Sequence, residues 1–113
     1  MIGIDVVEID QIKNIYEKHG RAFLDKILTV EETDELLRLH CRVLPRALGI
    51  YFAAKEAIFK AVSDDNLSWK DIVLENIMAQ PRIHIRRDGW HKKISLTFSF
   101  TRDIVMAQAL VAG

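Results

Sequence analysis

In the stretch "FAAKEAIFKA", residues 52–61, Glu56 and Lys60 stand four positions apart among alanine, isoleucine and phenylalanine. On a helix that spacing sets a carboxylate and an ammonium one turn apart on a single face. At helical intervals before Glu56 come Ala53 and Gly49, small residues that predict open space beside the pair. The ordinary reading of such a pair is a surface contact of about 0.3–0.5 kcal/mol. Asp5 adds a third group. In "MIGIDVV" it is out of phase with Ile2, Ile4 and Val6 and follows Gly3 by two residues, which predicts space on its own side. Two carboxylates and an ammonium can then converge. Such a set suits Mg²⁺, which takes one or two carboxylates and completes its shell with water and phosphate oxygens, and leaves the lysine to face phosphate.

The elements that must hold these groups read as one continuous α+β unit, a single domain over residues 1–113. A short strand "MIGIDVV" opens the chain. Asp10 can cap a helix "QIKNIYEKH" whose Ile12, Ile15, Tyr16 and His19 share a face, with Gly20 as its stop. Thr29 and Glu32 have the spacing of a capping box for a second helix, "EETDELLRLH", with Leu36, Leu37 and Leu39 on its buried side. Pro45 suits the first turn of a third helix running to Ser63, apolar almost all round and so expected to be buried. After Trp69 the period changes. "DIVLENIM", "RIHIRR", "KISLTFSF" and "IVMAQALVA" read as strands of an antiparallel sheet, the middle two joined through "DGW".

Composition narrows the function classes. Lysine plus arginine number 16 and aspartate plus glutamate 16, so no global field favours nucleic acid or a membrane surface as partner. No apolar run approaches the roughly 18 residues of a membrane span, and the acidic opening differs from a basic signal peptide, so the chain reads as cytoplasmic. Cys41 is the one cysteine and reads as structural or incidental. There is no G-x-S-x-G, P-loop or zinc spacing. "RIHIRR" alternates as a half-exposed strand, with His84 facing solvent, and His91 reads the same way, so neither histidine is a ligand candidate.

"GIDVVEI" at residues 3–9, "ILTVEE" at 27–32, "FAAKEAIFKA", "SWKDI" at 68–72 and "SFTRD" at 99–103 together resemble the holo-acyl-carrier-protein synthases, small 4′-phosphopantetheinyl transferases. The first and third stretches are the specific ones. The resemblance implies a 4′-phosphopantetheinyl transferase-like fold, with a long buried helix packed on a small antiparallel sheet. It implies transfer of the phosphopantetheine arm of coenzyme A to a serine of an apo acyl carrier protein, fatty-acid, polyketide or other. In the family the positions matching Asp5 and Glu56 bind Mg²⁺, and the lysine matching Lys60 contacts phosphate and assists proton transfer; the identity of the base stays open between Glu56, Lys60 and a water. Ser63 and Thr101 fall where the family contacts coenzyme. The resemblance also implies a homotrimer with sites between subunits.

Three departures from the family pattern bear on coenzyme binding. Phe100 replaces the histidine of "SHT", Tyr51 replaces an arginine, and "KAVSDD" replaces a glycine-rich turn with Ser63, Asp64 and Asp65. Phe100 continues the apolar alternation of Ile94, Leu96 and Phe98, which predicts core or interface packing. The acids read either as repelling pyrophosphate or as a solvated helix end. Lys13, Lys18, Arg21 and Lys26 offer an acidic carrier a docking face, diluted by Glu17 and Asp25. The alternative to an enzyme is a non-catalytic relative, an oligomeric scaffold or carrier-binding module. Ionised groups kept on a buried helix argue against it.

Overall fold

The computed structural model describes residues 1–63 and 66–113. Its order is β1 (Ile2–Glu8), α1 (Ile9–His19), α2 (Arg21–Ile27), α3 (Val30–Leu37), α4 (Leu44–Val62), a 3₁₀ turn (Trp69–Asp71), β2 (Ile72–Glu75), β3 (Arg82–Ile85), β4 (Lys93–Phe100) and β5 (Ile104–Ala112). The α+β class expected from the sequence holds. The single sheet does not. β1, β5 and β4 form one antiparallel sheet in that order, and β2 and β3 form a separate hairpin. The "DGW" segment therefore connects two sheets instead of closing a hairpin between β3 and β4. β2 also ends at Glu75, short of the expected Met78, because Asn76 turns the chain with a φ of 56°.

α1 starts at Ile9, so Asp10 lies inside its first turn and does not cap it. The cause is β1, which stays paired through Glu8↔Ile104 and passes straight into the helix, with the Ile9 amide donating to the Asp103 carbonyl at 2.9 Å. Gly20 ends α1 at φ 55°, a conformation that favours glycine, and α2 follows at once; its seven residues carry too little period to be read from sequence. The Thr29 capping box forms as expected, with Glu32 N donating to Thr29 Oγ1 at 3.2 Å and Thr29 N to Glu32 Oε1 at 2.9 Å. On α3, Leu36 is buried, but Leu37 turns to solvent and Leu39 is half-buried beyond the helix end.

α4 is the core. It packs its small residues Ala53, Ala57 and Ala61 and its Leu48, Ile50 and Ile58 among the inward faces of β5 (Val105, Ala107, Ala109) and the neighbouring helices. Gly3 on β1 is the tightest approach to it. A Cβ there would collide with the Ala57 carbonyl oxygen and lie 2.7 Å from the Ala61 nitrogen. Gly49 in turn faces Val105 and Val7, whose methyls would lie 3.4 and 3.7 Å from an added Cβ. The small residues thus serve close packing: the open space expected beside Gly3 and Gly49 is filled by backbone and valine, and Ala53 is fully buried.

One charge pair lies inside this core. Lys55 is fully buried, and its Nζ donates to Glu32 Oε1 at 2.7 Å, the Ile27 carbonyl at 2.9 Å and the Trp69 carbonyl at 3.0 Å. Glu32 Oε2 accepts from Leu74 N at 2.8 Å. Every donor of the ammonium has an oxygen, and both carboxylate oxygens are used, which is the condition for tolerating ionised groups away from water. Lys55→Met leaves the Glu32 carboxylate buried without its cation. The variant is expected to lose about 3–5 kcal/mol of stability, read as a fall in the urea midpoint; an unchanged midpoint would show that the pair is not ionised.

Candidate active site

α4 projects Glu56 and Lys60 from the stripe of its surface nearest β1, and β1 points Asp5 at the same stripe because Gly3, Asp5 and Val7 alternate inward. β1 runs antiparallel to α4, with Gly3 beside Ala57 and Ala61 and Val7 beside Gly49, so Asp5 falls level with the middle of the helix. Lys60 leans back toward it. Its Nζ donates to Asp5 Oδ1 at 3.0 Å and to the Ile4 carbonyl at 3.0 Å. The lysine therefore pairs across to the strand and not with Glu56 on its own helix.

Burial differs across the three groups. The Lys60 side chain is 51% exposed and that of Asp5 only 14%. Among the described residues, Asp5 Oδ2 is buried without a hydrogen-bond partner, an arrangement that costs free energy. The Glu56 carboxyl is pushed above the ordinary range by burial first and by the Asp5 charge second, with Lys60 partly offsetting them. A Glu56 carboxyl raised by the neighbouring Asp5 charge, beside a buried Asp5 oxygen without a partner among the described residues, forms a place where a small hard cation relieves repulsion. Among the described residues no cluster of three or more His, Cys, Asp or Glu side chains has metal-binding geometry. The donor set is two carboxylates, which fits Mg²⁺ completed by water and phosphate and does not fit zinc.

The remaining candidates lie apart from this triad. Ser63 caps α4 in the left-handed region at φ 55°, exposed one turn beyond Lys60, with its hydroxyl on the Lys60 carbonyl. Asp64 and Asp65 lie outside the described residues. Thr101 builds the β4–β5 turn, its Oγ1 accepting from the Asp103 and Ile104 amides at 3.2 Å. Asp5 pairs with Ala107, which pairs with Phe98. Thr101 is thus two strands across from Asp5, roughly 10 Å, and about as far again along the sheet. Phe100, expected to pack in the core or at an interface, is outside this chain's core at 43% exposed, with the Arg46 guanidinium 4.4 Å from its ring centre. Within one chain, neither residue reaches the triad.

Tyr51 is fully buried on the opposite side of α4, and burial followed by the charges of Glu35 and Glu32 pushes its hydroxyl well above the ordinary tyrosine range. It replaces a cation with a core ring. The four docking candidates are exposed: Lys13 pairs with Glu17 at 4.0 Å and Arg21 with Asp25 at 2.9 Å, while Lys18 and Lys26 make no ion pair among the described residues. Cys41 is free and exposed. His84 and His91 both face solvent.

Lys55 is the residue that spacing alone missed. Its signal was present, since a lysine flanked by buried positions on an apolar helix requires a partner, and Glu32 of the capping box supplied one.

Comparison with known proteins agrees with this architecture. The family model of the 4′-phosphopantetheinyl transferase superfamily matches residues 1–109. A holo-[acyl-carrier-protein] synthase of Chlorobaculum parvum is 36% identical over 114 aligned positions, covering 97% of this chain and 96% of its own length. Among solved structures, the Bacillus anthracis holo-(acyl-carrier-protein) synthase in complex with CoA (3′,5′-ADP) superposes with a TM-score of 0.84 at 28% identity, covering 97% of this chain and 93% of that one. The Helicobacter pylori synthase in complex with coenzyme A gives 0.82 at 26% identity, covering 99% and 100%. An architecture shared over its whole length, with a matching family model, identifies the chain: it belongs to the 4′-phosphopantetheinyl transferase superfamily.

Proposed function

We propose that Asp5, Glu56 and Lys60 carry out the transfer of the 4′-phosphopantetheine arm of coenzyme A to a serine of an apo acyl carrier protein. The transfer itself is the activity of the holo-acyl-carrier-protein synthases among which the chain falls. The observation supporting the assignment is the unpartnered, buried Asp5 Oδ2 beside a Glu56 whose carboxyl it raises. Asp5 and Glu56 are the residues that would hold Mg²⁺, whose chemistry there is to neutralise charge on the pyrophosphate. Lys60, half exposed and held by the Ile4 carbonyl, presents its remaining donor to a phosphate oxygen. Glu56, with its affinity for protons raised by burial, is placed to accept the proton of the attacking serine. The work is positioning and charge stabilisation, as phosphoryl-type transfer requires. The same groups weigh against the non-catalytic scaffold, which has no use for an unpaired buried carboxylate oxygen.

The reading extends to assembly. Ile2, Ile4 and Val6 of β1 with Ile104, Met106 and Leu110 of β5 leave an apolar sheet face exposed. Such a face calls for cover, and a homotrimer whose copies meet on it would also bring Ser99, Phe100 and Thr101 of one copy to the triad of another. That arrangement supplies the approach that is too long within one chain. Lys13, Lys18, Arg21 and Lys26 form the carrier-docking face of α1 and α2; the two exposed ion pairs there are worth little and leave their cations available. No helix of the described residues is long and apolar enough to cross a membrane, in keeping with a cytoplasmic enzyme acting on a soluble carrier.

Three outcomes test these assignments. Asp5→Asn and Glu56→Gln should each lower transfer by a factor on the order of 10³ or more, with the melting temperature unchanged or raised; the assay is the mass of an apo carrier after incubation with coenzyme A and Mg²⁺, and full activity of Asp5→Asn removes the shared-cation assignment. Sedimentation should give a trimer for the parent chain and a monomer without transfer activity for Met106→Lys. Charge reversal at Lys18 and Arg21 should cut the association rate with carrier about tenfold or more at low salt and leave coenzyme affinity unaltered.

A further inference from the structure

Residues 86–92 join β3 to β4, yet the two strands do not pair: among the described strands β3 bonds to β2 alone and β4 to β5 alone. Between them lies an open cleft of about 430 Å³, within the range of small-molecule sites. Ile83 and Ile85 of β3 and Ile94 of β4 line it, together with Arg87, Trp90 and Lys92 of the link. A turn closes one end, the Trp90 amide donating to the Arg87 carbonyl at 3.2 Å and Gly89 taking a φ of 76°. Trp90 is fixed there. Its indole N–H donates to the Lys92 carbonyl at 2.9 Å, so its polar atom is satisfied and the ring is left half-buried beside the cleft, with the Lys92 ammonium 5.8 Å from its centre.

Charge is concentrated at the same place. Arg82, Arg86, Arg87, Lys92 and Lys93 stand against the one acid Asp88 within residues 82–93, in a chain whose totals balance. Arg86 is engaged by Glu31 at 3.1 Å. Lysines on an open strand edge have a use of their own, since they keep other strands away. A half-exposed tryptophan and an apolar floor on that edge do the reverse. The cleft is also remote from the transfer site. Phe98 lies two strands across from Asp5, and Ile94 is four residues further along β4, away from Thr101, which puts it roughly 15 Å from Asp5. The end of β4 that the proposed trimer turns toward a neighbouring triad is the opposite one.

We propose that the cleft between β3 and β4 is a second binding site, for a nucleoside phosphate, with the base lying on Trp90 over the isoleucine floor and the phosphate held by Arg87 and Lys92. Each part of the lining matches one part of such a ligand. A fixed indole and three aliphatic side chains suit a flat heterocycle, since stacking of a base needs only a π-face and tolerates any sequence of ring atoms. A guanidinium and an ammonium flanking that indole in sequence suit a phosphate group, the one as a planar fork of donors and the other as a point charge. A small carboxylate would use the cations and leave the indole idle. An uncharged chain would use the floor and leave the cations idle. Asp88, the one carboxylate at the mouth, opposes the phosphate and so sets the sign of a direct test.

The chain has two tryptophans, so Trp69→Phe leaves Trp90 as the sole reporter. In that variant, without Mg²⁺, adenosine 5′-monophosphate should quench or shift the emission and saturate by about a millimolar. Adenosine and inorganic phosphate, each carrying half of the chemistry, should bind far more weakly. By calorimetry with both tryptophans in place, Trp90→Leu should weaken the nucleotide about tenfold. Arg87→Gln and Lys92→Gln should each weaken it about threefold, and Asp88→Asn should tighten it. These three lie at the surface, so they keep the test open should Trp90→Leu fail to fold. Three results overturn the site: emission that adenosine 5′-monophosphate leaves unchanged at several millimolar, inorganic phosphate binding as well as the nucleotide, or loss of the signal in Lys60→Met, which would put the nucleotide at the triad.

Discussion

A single ammonium in the core, that of Lys55, decides how α4 is turned. A fully buried lysine is tolerated only where oxygens meet all of its donors, and here they come from three places at once: the end of α2, the first turn of α3 and the turn before β2. The helix cannot rotate about its axis without uncovering that charge. Adjacent residues on a helix point about 100° apart, so pinning Lys55 inward sends Glu56 toward the rim, and the stripe Phe52–Glu56–Phe59–Lys60 follows. Glu56 thus owes its half-buried position to a neighbour that faces the other way. The three sequence stretches "ILTVEE", "FAAKEA" and "SWKDI" meet at this one nitrogen.

The depth of the other carboxylate has a steric origin. Gly3 lets β1 lie directly on the backbone of α4, closer than any side chain permits, and two residues later that approach carries Asp5 below the surface. Burial removes water from Asp5 Oδ2 and brings its charge to bear on Glu56. One contact between main chains and one ion pair in the core therefore set the electrostatics of a site in which neither appears. They also act on different elements, the strand and the helix, so the two carboxylates are held relative to each other by the rigidity of the whole α4–β1 layer.

Much of this was legible from residue types. The capping box at Thr29, the span of α4 from its early proline to Ser63 and the alternation of β5 follow local rules that tertiary packing did not override. The triad was legible too, because charges on apolar elements are unusual. What failed were inferences about space. Glycine and alanine beside a charge suit an open pocket or a close contact equally well, and only the fold distinguishes them. Pairing was likewise beyond local pattern: β3 and β4 are consecutive strands with a turn-like link, yet each finds its partner elsewhere. α2 went unseen because one and a half turns after a glycine do not establish a period. Phe100 continues a core alternation by type but lies at the sheet's end, where the core no longer covers it.

The pairing of β1 with β5 joins the first strand of the sequence to the last, with Met1 and Val111 bonded at the far edge. Contacts so distant along the chain form late, since a ribosome delivers residues in order and β5 leaves it after the other elements described above. Until then β1 lacks its neighbour among the described strands, and Asp5 is held only by the contact of β1 with α4. The helices, the Lys55 pair and the contact of Gly3 with α4 can form from residues already made, while the hydrogen-bonded register of β1 waits for β5. Truncation within β5 would yield a helical core whose β1 has no strand partner among the described residues.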